Sequence, residues 1–489
     1  MANKVDTDLE QMRSAADETD QVLAEIRTDS QSVDSTLFNL MQTFKGQTAD
    51  DLSAFRFTFS IESALITGRL NDIAMALRHN IRNYGETDQA NAQGITGASG
   101  GSGSLAESLR GPDGAARPDG NGFLSQAEAN NEAPPGGASP QEVADWWDSL
   151  SEDQQQHILE NSPENVADVN GVPASARDIA NRAILDDKLT QNAIDLEAVN
   201  LDIAQQDEGT FLNPNRELDA LIVKREQLQS ELVRMDNLKS EIAEPYLGLD
   251  HLLLGFDESS ESGRPIVFLG DPGTSDHLSV HVTGTDSNLD PDSFNELMDR
   301  TRNLAEDAIN DSGDSVAVAL WFDYDAPQGI SNAISEQPAS EGAPGLTAFS
   351  DGMRATSGSD SVSYLGHSYG STIIGHAAAS SDGLNTDRIM LIGSPGAGAI
   401  HASEFGIGAE NVYATTASGD IIGWAGLPGD NDVLVHGTDP VHENFGAHVL
   451  ESDNRTGDAK SKGNHSGYYD PGNQFRENSS NVITDNVGN

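Results

Sequence analysis

The chain has 489 residues, 27 of them Lys or Arg and 79 Asp or Glu, so its formal charge is −52. That length exceeds one compact core and predicts about two to four domains, while the charge repels DNA, RNA and anionic lipid surfaces. The absence of Cys excludes a disulfide framework, Cys-ligated zinc, haem-thiolate and a thiol nucleophile, and leaves the compartment open. No apolar run reaches the ~18 residues a membrane span needs. The acidic start MANKVDTDLEQMRSAADETD lacks an apolar h-region, so no Sec-type signal peptide is expected.

Residues 1–90 carry few Gly or Pro and show apolar residues at helical spacing, first Val22, Ile26 and Val33, then Leu70, Ile73, Met75 and Leu77. Phe44-Lys45-Gly46 between them predicts the turn of a helical hairpin. Residues 91–139, with GITGASGGSGS and NEAPPGGASP, read as a Gly/Ser/Pro-rich linker. Order returns at about 140, where Ser139-Pro140-Gln141-Glu142 is a helix start and Trp146-Trp147 follow as core residues. Helices are expected over about 175–207 and 214–244, the second with Leu218, Leu221, Leu228, Leu232, Met235 and Ile242 along a seam. With Gly209 and Asn213-Pro214 between them, residues 140–246 form a helical region with a long antiparallel hairpin.

From 247 to 489 short apolar runs alternate with helical stretches. The runs are LDHLLLGF, RPIVFLG, LSVHVTG, SVAVALWF, SVSYLG, RIMLIG, NVYATT and AHVLES; helices are expected at about 292–311, 343–357, 369–380 and 473–486. Runs that are apolar throughout suit strands covered on both faces, and the alternation predicts an α/β domain with a mostly parallel central sheet.

Gly366-His367-Ser368-Tyr369-Gly370 fits G-x-S-x-G, as does Gly97-Ala98-Ser99-Gly100-Gly101 in the linker. Only the former lies between a predicted strand and a predicted helix, the setting of a nucleophile elbow. Gly366 and Gly370 relieve crowding there, and the helix N-terminus favours developing negative charge. A Gly-rich turn without chemistry would use the same residue types.

A serine nucleophile needs a base and an orienting acid, in the order Ser, Asp/Glu, His for this motif. Asp420, just after the strand Asn411–Thr416, is the expected acid; Asp430, Asp432 and Asp439 are alternatives. His465, in the loop before the last helix, is the expected base, ahead of His436, His442 and His448. An oxyanion hole needs two backbone donors. The N–H of Tyr369 and that of Thr285, in the loop Val282–Ser287 with Gly284 allowing close approach, are the candidates.

From about 140 onward, WWDSLSEDQQQHILENSPENVADVNGVPASARDIANRAIL, LWFDYDAP, YLGHSYGSTIIG, LIGSPGAG, HGTDP and GNHSGYY together resemble an actinobacterial α/β-hydrolase family. The resemblance implies an α/β-hydrolase fold preceded by helical hairpins, with Ser368, Asp420 and His465 as triad and Val282-Thr283-Gly284 in the oxyanion role. That family often has Pro before the Gly, where this chain has Thr283. Residues 1–90 resemble the WXG superfamily of type VII secretion substrates, Phe44-Lys45-Gly46 standing for Trp-x-Gly and Tyr84-Gly85-Glu86-Thr87-Asp88 for Y-x-x-x-D. That implies export by a non-Sec route and partners in the secretion machinery or a small helical protein. The alternative is a plain packing hairpin on a cytoplasmic protein.

Asp119–Glu128 resembles part of an EF-hand loop, but Arg117 occupies the first ligand position, so a linker is expected. Gly393-Ser394-Pro395-Gly396-Ala397-Gly398 lacks a P-loop Lys and is expected to border the pocket. The expectation is a serine hydrolase of carboxylic esters, lipid or cell-envelope esters among them, with a small-molecule substrate, no cofactor, no metal and no nucleic acid. Its rivals are an amidase or peptidase using the same residues, and a non-catalytic interaction protein on a hydrolase scaffold.

Overall fold

The computed structural model describes residues 132–487 except 207–208, 211–212, 215, 258–259, 261–262, 330–331, 425–432 and 456–460, together with isolated helical positions between 19 and 36. The expectations for Phe44-Lys45-Gly46, Tyr84–Asp88, Ser99, Asp119–Glu128, Asp430 and Asp432 lie outside the described residues. Residues 132–329 and 336–487 belong to one compact unit.

The first described helix, α1 (Pro140–Ser149), starts in a capping box. Ser139 Oγ accepts the Glu142 N–H, and Glu142 accepts the Ser139 N–H in return. Trp146 and Trp147 pack edge to face at 5.9 Å and sit in a buried cluster with Val143, Ile158, Val166 and Val172. Helix α2 (Glu152–Asn161) precedes the two long helices, α3 (Ala174–Ala204) and α4 (Arg216–Glu241). Asp186 pairs with Lys239 at 2.7 Å and Asn192 with Glu231 at 3.1 Å, so the two run antiparallel.

The sheet has eight strands: β1 (His251–Gly255), β2 (Ile266–Leu269), β3 (His277–Val282), β4 (Val316–Trp321), β5 (Ser361–His367), β6 (Arg388–Ile392), β7 (Val412–Thr415) and β8 (His448–Val449). Their spatial order is β8-β7-β6-β5-β3-β4-β2-β1. Only β2 runs against its neighbours, pairing antiparallel with both β1 and β4. Each strand coincides with one of the eight apolar runs of the sequence, β3 and β5 extending one residue beyond theirs, and every residue of β4 and β5 is buried, as expected for strands covered on both faces. Helices α5 (Pro291–Ser312), α6 (Gln337–Thr356), α7 (Tyr369–Ala378) and α9 (Gln474–Ile483) flank the sheet, α6 packing with α7 and α5 with α9; α8 (Lys462–Ser466) is a single short turn.

Helix α6 starts at Gln337, several residues before the 343 expected from sequence, and runs through Pro344. Proline inside a helix removes one backbone hydrogen bond. Tight packing compensates: a Cβ at Gly342 would lie 2.9 Å from Tyr324 Cβ.

The edge strand β1 is covered by α3. Leu253 N–H donates to Asp178 Oδ1 at 2.7 Å, while Arg177 donates to Leu254 O at 2.6 Å and Arg182 to His251 O at 2.6 Å. Three side chains of one helix thus occupy the backbone groups that an edge strand otherwise offers to another chain. The helical region closes the sheet on this side, while the candidate nucleophile follows β5 in the middle of the strand row.

Candidate active site

Ser368 sits between β5 and α7 at φ 55°, ψ −127°, a conformation rarely adopted by residues with a Cβ. Its glycine neighbours show why the turn tolerates nothing larger. A Cβ at Gly366 would lie 2.7 Å from Ser371 Cα, and one at Gly370 would lie 2.2 Å from Val282 O. Close contact of the turn with β3 and with its own helix therefore dictates the G-x-S-x-G spacing. Ser368 N–H donates to Ile392 O at 2.8 Å, which pins the turn to β6.

His465, on α8, presents Nε2 to Ser368 Oγ at 2.9 Å. Its Nδ1 lies 2.9 Å from Asp420 Oδ1 and 3.0 Å from Oδ2. Asp420 follows β7 and is fully buried. Burial alone would raise its pKa, but His465, the Tyr468 hydroxyl and the Ile422 N–H together hold it below the usual carboxylate value. An ionised carboxylate only accepts, so the proton of neutral His465 is on Nδ1, and the lone pair on Nε2 faces the serine hydroxyl. The structure thus brings together Ser368, His465 and Asp420, residues separated by 97 and 45 positions in the chain.

The other candidates lie elsewhere. Asp439 accepts the Val441 N–H, His442 accepts the Asn444 N–H, and His448 stacks on Tyr413 at an exposed edge. His436 is buried with its ring edge-on to Tyr369 at 5.4 Å.

Tyr369 is the first residue of α7, so its N–H belongs to the helix terminus beneath the serine. Gly284 presses against the same point: a Cβ there would lie 2.9 Å from both Ser368 Cβ and Tyr369 N. Thr285 follows, half-buried. The loop is braced by Tyr324, whose hydroxyl donates to Thr283 O at 3.0 Å, and by Ser287, whose hydroxyl donates to Gly284 O at 2.8 Å. Burial pushes the Tyr324 phenol far above its ordinary pKa, so it remains a donor.

Several contacts at the site were not anticipated from sequence. The Tyr468 hydroxyl donates to Asp420 Oδ2 and accepts the Ala417 N–H at 3.1 Å. Gly393, expected only to border the pocket, lies against the polar cluster itself. At φ 51° its missing Cβ would stand 2.8 Å from Asp420 Oδ2, 3.1 Å from Tyr468 Oη and 3.2 Å from His465 Nδ1. His367, the residue before the nucleophile, turns its Nε2 to His465 O at 2.9 Å. The adjacent Gly463-Asn464-His465-Ser466-Gly467-Tyr468-Tyr469 segment, dense in polar and aromatic residues, was the one sequence signal for Tyr468.

Residues 258–426 match the model of a family described as alpha/beta hydrolase. An uncharacterised protein of Mycobacterium tuberculosis is 29% identical over 376 residues, covering 70% of this chain and 55% of its own length. A second from the same organism is 36% identical over 96 residues, 19% of this chain and 35% of that protein. The chain therefore spans about half the length of the first of these relatives. Among solved structures, the poly(3-hydroxybutyrate) depolymerase LpqC of Bordetella parapertussis is similar at 12% identity and a TM-score of 0.29, over 49% of this chain and 93% of that one. The strand order and the family match together identify the sheet domain as an α/β-hydrolase fold.

Proposed function

We propose that this protein is a serine hydrolase that cleaves carboxylic esters through an acyl-enzyme. The observation that carries the reading is the continuous hydrogen-bonded line from Ser368 Oγ through His465 to the buried Asp420 carboxylate, with both steps near 2.9 Å. His465 Nε2 takes the hydroxyl proton as Ser368 Oγ attacks the ester carbonyl carbon. The resulting imidazolium is stabilised by Asp420, which keeps the Nδ1 proton in place. Backbone N–H groups of Tyr369 and Thr285 hold the oxyanion. His465 then returns the proton to the departing alcohol, and water, activated by the same imidazole, releases the acid and regenerates the serine.

The charge of −52 favours an uncharged ester over an anionic one. The reading is tested by fluorophosphonate labelling of the folded chain, with Ser368→Ala as control, followed by hydrolysis of short- and long-chain p-nitrophenyl esters beside the matching anilides. Ser368-dependent labelling with ester turnover above anilide turnover is expected. A folded wild-type chain that takes up no probe would return the protein to the interaction-scaffold reading.

A further inference from the structure

We infer that His367 is a positioning residue for the candidate triad: it clamps the main chain of His465 to the strand that carries the nucleophile. The inference rests on the serine-hydrolase reading and adds to it a residue outside the triad.

The geometry is as follows. His465 O belongs to α8, a helix of five residues that continues directly into a 3-10 turn over Gly467–Tyr469. His367 Nε2 meets it at 2.9 Å. A carbonyl only accepts, so the proton of His367 must be on Nε2. The two imidazole rings lie 4.9 Å apart, centroid to centroid, at an interplanar angle of 33°. His367 is buried, and the rings of Tyr468 and Tyr469 stand edge-on to it at 5.9 and 5.8 Å, leaving it little freedom. Burial, then the neighbouring His465 and Arg300, depress its pKa far below the ordinary imidazole value, so it stays a neutral donor while His465 gains and loses a proton.

A second clamp runs from the residue before the base to the residue before the acid. Asn464 Nδ2 donates to Gly419 O at 3.0 Å, and Asn464 is fully buried. Ser461 N–H donates to the same carbonyl at 3.0 Å. The residue preceding the nucleophile thus grips the base, and the residue preceding the base grips the acid loop. These ties run beside the hydrogen bonds of the triad and fix the backbones from which its side chains project. Because proton transfer is sensitive to ångström-scale placement, loss of the His367 clamp acts on turnover more than on substrate affinity.

The test uses the full chain. His367→Phe keeps a ring of similar size and removes the donor, whereas His367→Gln keeps a donor at similar reach. Expected for His367→Phe is a fall of about 10- to 100-fold in kcat for p-nitrophenyl butyrate and in fluorophosphonate labelling rate, with KM within about twofold. His367→Gln should recover most of both. Side-chain 15N NMR on wild-type protein at neutral pH, which needs no variant to fold, should show His367 as the Nε2–H tautomer. An Nδ1–H tautomer, wild-type rates in a folded His367→Phe, or equal losses in the Phe and Gln variants would overturn the clamp. If labelling survives Ser368→Ala, the hydrolase reading itself fails. If labelling requires Ser368 but His367→Phe labels at the wild-type rate, only the clamp fails.

Discussion

Two buried charges at opposite ends of the strand row are stabilised in different ways. At the β1 edge, Arg177 donates to Ala167 O at 3.1 Å, Asn170 Oδ1 at 3.2 Å and Leu254 O at 2.6 Å. Its hydrogen bonds go to neutral oxygens, and the carboxylates of Asp168 and Asp323 support its charge from farther off. Burial lowers its pKa to about 10, so at neutral pH it stays charged. It borders a cavity of about 520 Å³ together with Asp168, Asn181, Arg264 and Asp323. Yet each of its three nitrogens already has a protein oxygen partner, and its work is to fasten the helical region to the sheet. At the β7 end the buried charge is Asp420, and its main partner is an imidazole that can gain a second proton. A charge whose hydrogen bonds go to fixed dipoles makes a joint, whereas one hydrogen-bonded to a titratable ring makes a site where a proton can move.

Four measurements would break or sharpen that contrast. The largest effect is expected at the β7 end: Asp420→Asn should lower fluorophosphonate labelling and esterase kcat by about 10⁴-fold, because the amide favours the wrong tautomer of His465. Its thermal stability should change far less than its activity, and near-normal labelling would show that Asp420 does not orient the base.

Arg177→Met should do the reverse. Three oxygens lose a charged donor, so a loss of about 3–5 kcal/mol in chemical denaturation is expected. The fraction that remains folded should label at the wild-type rate. A comparable loss of activity per folded molecule would mean that the two ends are coupled.

Tyr468→Phe removes one donor from the Asp420 carboxylate and one acceptor from the Ala417 N–H. A stability loss of about 1–3 kcal/mol is expected, together with a rise in the Asp420 pKa followed by carboxylate 13C shifts. No change in either would assign the hydroxyl a passive place.

The mildest test is acidification. Burial holds His281 neutral, its pKa pushed down to about 3, and keeps His367 well below its ordinary value. Unfolding frees both rings to take up protons below about pH 6.5. Stability is therefore full above that value and falls as pH drops, by on the order of 1 kcal/mol per ring from about pH 6.5 to about pH 5.5. Asp420, whose pKa is lowered, adds its loss only at lower pH, as the solution falls below the unfolded value of about 3.9 and through the folded one. Burial raises the Asp323 carboxyl to about 6, so it takes up a proton in the folded state over the same range and offsets part of this loss. A denaturation midpoint that rises as pH falls from 7 to 5 would mean that the two rings are hydrated in solution.

The elements that could be read from sequence share a property: their signals are local. The eight apolar runs matched the eight strands of the sheet because burial on both faces leaves no alternative composition. Ser368 was marked by two glycines within two residues of it. Asp420 and His465 were located by chain order, one after a late strand and one before the last helix. Helix α6 begins at Gln337, before the expected 343, with Pro338 in its first turn, a position that proline tolerates at a helix start. The Arg177–Leu254 bond and the His367 clamp left no local mark, their partners lying 77 and 98 residues away in the chain. The Tyr468 hydroxyl, whose carboxylate partner lies 48 residues away, left only the polar and aromatic setting of its own segment.

By itself, then, the amino-acid order determined the succession of strands and helices, the strained turn around Ser368, and the short set of acids and imidazoles from which a site could be assembled. These follow from side-chain size, apolar periodicity and the tolerance of glycine for close contact, all of which act within a few residues. Tertiary structure alone decided how closely the imidazole and carboxylate meet the serine and which neighbours hold both in place. Those choices depend on hydrogen bonds that form only after distant segments have been excluded from water together, where leaving a polar group unpaired costs more than bringing a remote partner to it.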